Sequence, residues 1–446
     1  RLLSWDGFKN VQNVLKSIGM NEKNTCLDNY VFHTRILKHC NLIDNIKLWY
    51  AFTIDYPLRC KQLFKISAHD YFEKLFGNGT CKKYTSLISA FIAASSENAP
   101  VVKILDGISS NIYFYEKSRT FPTDNDWIRR IETWLVSKNV RINKETTIDD
   151  FVLNSSKTKI QQFSTNGHVV ELNKDDKIAM CMDPEGIIEL LENSIKEVQD
   201  NWMPWGEFKH VLGKSTYKSI GFRIDFSKNG KPSNISKNGK RSNISKWVAR
   251  EYTDWEILLK MHNKHPTSMN GVICDLMKIS NYTGKTANET PPDELKNEIK
   301  RQIENADPSI SIINISIHKD VWFNSTTWKV SHSAAALHAD YGFIPSKGKI
   351  GNLNIVNSLI ERTFPITTIE TCCEVAINYV NSLSSNKFKV VRHGNYELKN
   401  RIVIFIVGAV LPLIILIKIT SILTKQVFYK INSSFKNDNL KNIFLK

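Results

Sequence analysis

Along most of the chain apolar residues recur in one of two periods, and a single stretch near the end shows neither. Ile220, Phe222, Ile224 and Phe226 are apolar at every second position, which predicts a half-exposed strand over 219–226. Asn166-Gly167 separates the apolar runs 160–163 and 168–172, the turn chemistry of a tight hairpin. Asp106-Gly107, between 101–105 and 108–115, predicts a second hairpin on the same grounds. Helical spacing governs Phe8, Val11, Val14, Leu15 and Ile18, between a cap at Asp6 and a stop at Gly19. It governs Trp127, Ile128, Ile131, Trp134 and Leu135 behind Asp124 in the same way. Asp183-Pro184-Glu185 combines a cap, a first-turn proline and an acid matched to the helix dipole. The helix it opens has Ile187, Ile188, Leu191, Ile195 and Val198 on its inner face. Further helices are predicted at 68–76, 85–95, from Asp254, at 292–304, and from the capping box Thr367–Glu370 to Leu383. Strands are expected at 177–182 and 309–317, with a strand or stalk at 387–393.

The exception is Ile402–Ile417, sixteen residues without a charged or polar side chain. As a helix they rise about 24 Å, and adding Ile419–Leu423 reaches about 33 Å if Lys418 snorkels to the headgroups. The pattern predicts an α+β protein: a helical part with four cysteines over 1–100, a mixed α+β part over 101–226, and a second α+β part over 247–400. A transmembrane helix over 401–424 and a basic tail over 425–446 follow. Between the two α+β parts, SKNGKPSNI (Ser227–Ile235) is repeated as SKNGKRSNI (Ser236–Ile244), which marks 227–246 as an exposed basic loop.

Hydrophobic residues make up 42% of the chain, enough for a packed core and against wholesale disorder. The formal net charge of +16 comes with no basic stripe interleaved with aromatics, and nucleic acid is not an expected partner. All eight cysteines precede the apolar stretch, as do eight Asn-x-Ser/Thr sites at Asn78, Asn154, Asn234, Asn243, Asn281, Asn288, Asn314 and Asn324. The chain starts at Arg1, as a processed form or fragment would. These signs place the protein in the secretory pathway, membrane-anchored or secreted, with a lumenal or extracellular body. Cys26, Cys40, Cys60 and Cys81 are spaced too widely for a zinc knuckle and are expected to form at least two disulfides. Lys240-Arg241 in the duplicated loop is a dibasic processing site for a secretory protease.

Several motifs fail when measured. Gly206–Ser215 has six residues where a phosphate loop has four, so it does not cradle phosphates. No HExxH, GxSxG or CxxC occurs, and neither a metal nor a cofactor is expected. His318, His332, His338 and Asp340, with Asp320, form the one histidine cluster; they read either as an ordinary polar loop or as the site of a lumenal hydrolase.

Thr327-Trp328-Lys329-Val330, Leu337, Tyr341-Gly342, Ile350–Ile355 and Leu359-Ile360 together resemble the small secreted necrosis-inducing-effector module of fungi. Met182–Glu185 is similar to the region behind the catalytic domain of killer-toxin-like chitinase precursors, which carry the same module. The resemblance implies the non-catalytic part of an alpha/beta-type killer toxin. It implies a non-enzymatic protein acting by surface binding and membrane association. Its partners would be the lipid bilayer, a cell-surface or cell-wall ligand, and a disulfide-linked subunit.

Overall fold

The computed structural model describes residues 2–4, 8–20, 26–29, 41–77, 96–109, 117–120, 124–226, 247–249, 253–261, 267–308, 310–331, 333–363, 367–385, 387–392 and 398–426. The processing pair Lys240 and Arg241, His332, the helix expected at 85–95, the cap at Asp6, Cys40, Cys81 and the side chain of Cys26 lie outside these residues. The chain divides into two compact units, Arg1–Cys40 with Lys61–Gly394, and Asn41–Cys60 with Asn395–Lys446.

In the larger unit, Ile220–Phe226 is the strand its alternation predicts, with Ile220, Phe222, Ile224 and Phe226 all buried. It lies inside a five-stranded antiparallel sheet between Ser268–Ile273 and Ile312–Ile317, with Ile257–Met261 and Trp247–Ala249 beyond Ser268–Ile273. Phe222 faces Gly271 across the ladder, and a Cβ at Gly271 would stand 2.3 Å from the Phe222 ring. The helix Pro292–Ala306 covers this sheet through Leu295, Ile299 and Ile303, four residues apart and fully buried. Burying a side chain of this size stabilises by about 1.5–3 kcal/mol, so these three alone fix the helix to the sheet. The strand before the duplicated segment and those after it thus share one sheet and one core.

A second core gathers the helices Pro184–Glu192 and Trp205–Lys214 around Phe208, Leu191 and Leu212. Asp183 caps the first helix, accepting the Gly186 N–H at 2.8 Å. The Asn166-Gly167 hairpin joins Ile160–Thr165 to His168–Glu171 with both turn residues at positive φ (48° and 76°), as a type I′ turn requires. Ile178–Met180 pairs in parallel with Leu353–Ile355. The Asn352 side chain extends that junction: its Nδ2 donates to the Ile160 carbonyl at 2.9 Å, and its Oδ1 accepts the Ile160 N–H at 2.8 Å. A smaller cluster packs Phe8, Val11 and Leu15 against Trp127, with Ile369 and Cys373 of the helix Ile369–Leu383 at its border.

Two predicted elements are corrected. Val101–Ser109 is a helix and not the first arm of a hairpin: all six residues from Val101 to Asp106 are buried, and this tertiary packing outweighs the turn signal of Asp106-Gly107. No helix starts at Asp254. Ile257, Leu258 and Leu259 are consecutively buried, which suits a strand covered on both faces.

In the smaller unit, Leu42–Tyr50 continues through a π-helical turn, Ala51–Asp55. The C-terminal helix Arg401–Gln426 is 26 residues long and apolar, with none of its residues buried, half-buried at places between 401 and 410 and exposed from 411 on. Trp49 Nε1 donates to the Gly408 carbonyl at 2.9 Å, and Arg401 Nη1 donates to the Pro57 carbonyl at 3.1 Å. The molecule is α+β with one apolar C-terminal helix.

Candidate functional site

Two cavities of the larger unit meet at Asn98 and Lys214, which line both. The first, of about 470 Å³, is lined by Lys65, Asp70, Glu97, His210, His338, Asp340 and Tyr341 among others. The second, of about 400 Å³, is lined by Glu185, Tyr217, Lys218, Cys274, Asp275 and Trp328 among others. Helix geometry supplies one wall: His210 and Lys214, four residues apart on Trp205–Lys214, lie on one face. The opposite wall is the irregular segment 336–341, anchored by backbone bonds. The Ala336 N–H reaches the Ser215 carbonyl, and the Ala339 N–H the Asn98 carbonyl, each at 2.8 Å.

The protonation of His338 follows from its partners. The Asp340 backbone N–H donates to Nδ1 at 3.2 Å, so Nδ1 is the bare nitrogen. The proton sits on Nε2, which donates to Asn98 Oδ1 at 3.1 Å. Burial holds the His338 pKa below its ordinary value, against the opposing pull of Asp340, and the ring is neutral at neutral pH. The Tyr341 ring lies 5.0 Å from His338 and 5.7 Å from His210, and its hydroxyl is 2.8 Å from His210 Nε2. In the adjoining cavity Tyr217 Oη donates to the Cys274 carbonyl at 2.7 Å. Burial pushes both the Tyr217 phenol and the Cys274 thiol upward, so neither ionises near neutrality. Lys218 pairs with Glu185 at 2.5 Å.

His338 and Asp340 therefore share a cavity. His318 does not join them: its ring stands over Gly221, and it lines a different recess with Trp322 and Lys296. Among the described residues no three His, Cys, Asp or Glu side chains are arranged to hold a metal ion. Cys181, Cys274, Cys372 and Cys373 are free thiols, and Cys60 is buried. His210, Tyr217, Tyr341, Asn98 and Lys214 carry no local sequence signal for this role, because segments more than a hundred residues apart bring them together.

No protein-family model matches the chain, and no curated protein matches it in sequence. Solved structures do resemble it. An oxidoreductase from Methanosarcina mazei is similar with TM-score 0.53 at 11% identity, over 83% of this chain and 85% of that one. Cyclohexylamine oxidase from Brevibacterium oxydans gives 0.50 at 10%, over 84% and 85%. A putrescine oxidase with putrescine bound, solved in a redesign of its cofactor binding, gives 0.54 at 10%, over 85% and 86%. This likeness lies in the fold, and it runs through most of the chain.

It overturns the killer-toxin reading. The segments that resemble the effector module are not one unit: Trp328 belongs to the core of the five-stranded sheet, Leu353 and Ile355 to the second core. The non-enzymatic toxin function, the chitinase association and the hydrolase alternative on His318, His332, His338 and Asp340 are corrected with it, since the fold neighbours are oxidoreductases. The cell-wall ligand and disulfide-linked subunit lose the argument that suggested them.

Enzymes that oxidise amines need a redox cofactor, and dinucleotides are commonly held by a G-x-G-x-x-G turn whose helix N-terminus meets the pyrophosphate. The residues here do not fit that arrangement. The sequence contains no G-x-G-x-x-G. Its single G-x-G, Gly77-Asn78-Gly79, follows the helix Ala68–Phe76 and has Lys82 at the third position. Leu2–Ser4 leads into the helix Lys9–Ser17, but that N-terminus already holds an anion. The fully buried Glu370 carboxylate accepts the backbone N–H of Asn10 and of Val11 and the Asn10 Nδ2–H, each at 2.8 Å. That helix N-terminus is therefore already taken by the protein's own carboxylate.

Proposed function

We propose that the chain is an oxidoreductase acting on amines, carried at a membrane by Arg401–Gln426. The observation that supports it is the fold likeness to three solved oxidoreductases, two of them amine oxidases by name, over 83–85% of the chain. The paired cavities give that reading a place. Asp70, Glu97 and Asp340 offer negative charge to an ammonium group, the Tyr341 ring offers a π face, and the neutral His338 ring, held by Asp340 and Asn98, forms part of the wall. Removing two hydrogens across a C–N bond needs a two-electron acceptor, and the helix Lys9–Ser17 is not where it is held. A body on the lumenal side agrees with the sequons at Asn281, Asn314 and Asn324, all exposed.

Two measurements test this. Detergent-solubilised full chain, given putrescine, cyclohexylamine or benzylamine and an artificial acceptor dye, should reduce the dye in an amine-dependent way. Silence with every amine, with flavin and nicotinamide dinucleotides also supplied, ends the amine oxidase reading. Alkaline carbonate should leave the full chain in the membrane pellet and release one truncated at Asn400. Equal release of both ends the membrane reading.

A further inference from the structure

The helix Leu42–Tyr50 turns its apolar side outward. Leu42, Ile43, Ile46, Trp49 and Tyr50 recur at the spacing of one helix face, and all are between 42% and 76% exposed. Asp44 and Leu48, on the other side, are buried. A helix facing water shows the reverse order, and a contiguous exposed apolar stripe marks a surface meant for something other than water.

What covers it is indicated by its neighbour in the same unit. Pro412 has no N–H to offer the Gly408 carbonyl four residues before it, and Trp49 Nε1 donates there at 2.9 Å. The helix adopts a π turn at Ile406–Val410 around this point. Gly408 also permits close approach: a Cβ there would stand 2.4 Å from Thr53 Cγ2. The contacts pair Pro57 with Arg401, and Thr53 and Trp49 with Gly408, so the two helices run antiparallel. Gly408 lies about 10 Å along the helix from Arg401, and Leu42–Tyr50 extends from that level towards the middle of the apolar stretch. A small residue at the crossing and a polar side chain satisfying a backbone carbonyl are the contacts helices use where no water is available.

We infer that Leu42–Tyr50 is a second lipid-embedded element, its apolar stripe facing the acyl chains beside Arg401–Gln426. The partner is the bilayer itself. This rests on the membrane reading of Arg401–Gln426 proposed above, and the test separates the two. The photoreactive residue benzoylphenylalanine replaces Ile43, Ile46, Leu413 or Ile313, one at a time, in the full chain. The chain is reconstituted in phosphatidylcholine vesicles that carry tritiated phosphatidylcholine. Leu413 reports the C-terminal helix, and Ile313, 71% exposed on a strand of the large sheet, reports the background. Lipid adducts from Ile43 and Ile46 should approach those from Leu413 and exceed those from Ile313 severalfold, because only a side chain among the acyl chains meets lipid at high local concentration. Adducts from Leu413 with only background from Ile43 and Ile46 would overturn this inference and leave the span standing. Protein cross-links in place of lipid adducts at Ile43 and Ile46 would overturn it in favour of a protein partner. Background labelling at Leu413 as well would remove the span and the inference together.

Discussion

Replacing Glu370 by alanine empties the anion seat at the start of Lys9–Ser17, and its cost can be worked from the contacts. Three N–H groups within 2.8 Å lose a buried carboxylate. Asn10 Nδ2 keeps a second acceptor, the Val391 carbonyl at 2.9 Å, so the amides of Asn10 and Val11 bear the loss. Each orphaned buried donor costs about 1–3 kcal/mol, and bonds to a charged acceptor stand at the upper end. The expected destabilisation is about 3–5 kcal/mol. For the roughly 370 residues of the larger unit, the unfolding entropy is about 0.8 kcal/mol per degree, so Tm should fall by about 4–6 °C. Glu370→Gln, which keeps an acceptor and loses the charge, should lose about half as much. Differential scanning fluorimetry in detergent checks both. Acetate or formate should restore part of the loss in Glu370→Ala and leave the wild type unmoved, because the vacated seat fits a small carboxylate. A Tm within about 1 °C of wild type for Glu370→Ala would refute the reasoning, since two buried helix amides cannot be silent. Equal stabilisation of wild type and variant by acetate would show that the anion acts elsewhere.

Asn352→Ala removes both bonds to the Ile160 backbone and should cost about 2–4 kcal/mol in urea unfolding; a loss under about 0.5 kcal/mol would show that water replaces the side chain. Burial pushes the Glu298 carboxyl upward, but hydrogen bonds from Arg301, Ser280 and Gln302 prevail and hold its pKa below the ordinary value. Its folded pKa is thus lower than its unfolded one, so its stabilisation is complete above the ordinary glutamate value and disappears as pH falls through the folded value. Urea midpoints measured from neutral to acid pH should fall less steeply in Glu298→Gln than in wild type; identical slopes would reject the assignment. If the cavity at His338 is the reaction site, His338→Gln should lower kcat/KM for an amine by about a hundredfold or more with Tm nearly unchanged. An unaltered rate would move the chemistry out of that cavity.

The sequence announces those elements whose signal is local. Asp183-Pro184, Asn166-Gly167 and the alternation of Ile220 to Phe226 each contain their own cause within a few residues, and each begins its element as expected, although the helix from Pro184 stops at Glu192 and leaves Ile195, expected on its inner face, exposed. It misleads where two local signals compete, as at Asp106-Gly107, where burial of Val101, Val102, Ile104 and Leu105 in the tertiary structure decides for helix. The fold relationship was not legible, because at 10–11% identity no local motif of the chain carries it. Nor was most of the candidate site. His338 and Asp340 stand out as neighbours, but His210, Asn98 and Tyr217 reach them only through packing of Trp205–Lys214 and the turn at 96–98. The outward-facing stripe of Leu42–Tyr50 has an ordinary helical period; only its exposure, which sequence does not carry, is unusual.

The pairing order of the large sheet has a consequence for how the chain is made. Ile220–Phe226 holds the sheet's interior, yet its neighbours are Ser268–Ile273 and Ile312–Ile317, both of which leave the ribosome later. Translation at about 5–20 residues per second puts roughly 2–8 s between Phe226 and the first partner, and roughly 4–17 s before the second. Through that interval Ile220, Phe222, Ile224 and Phe226 form a strongly apolar strand with unsatisfied edges. The nascent chain must therefore be shielded at this point, by holdase chaperones or by transient contacts with the part already made.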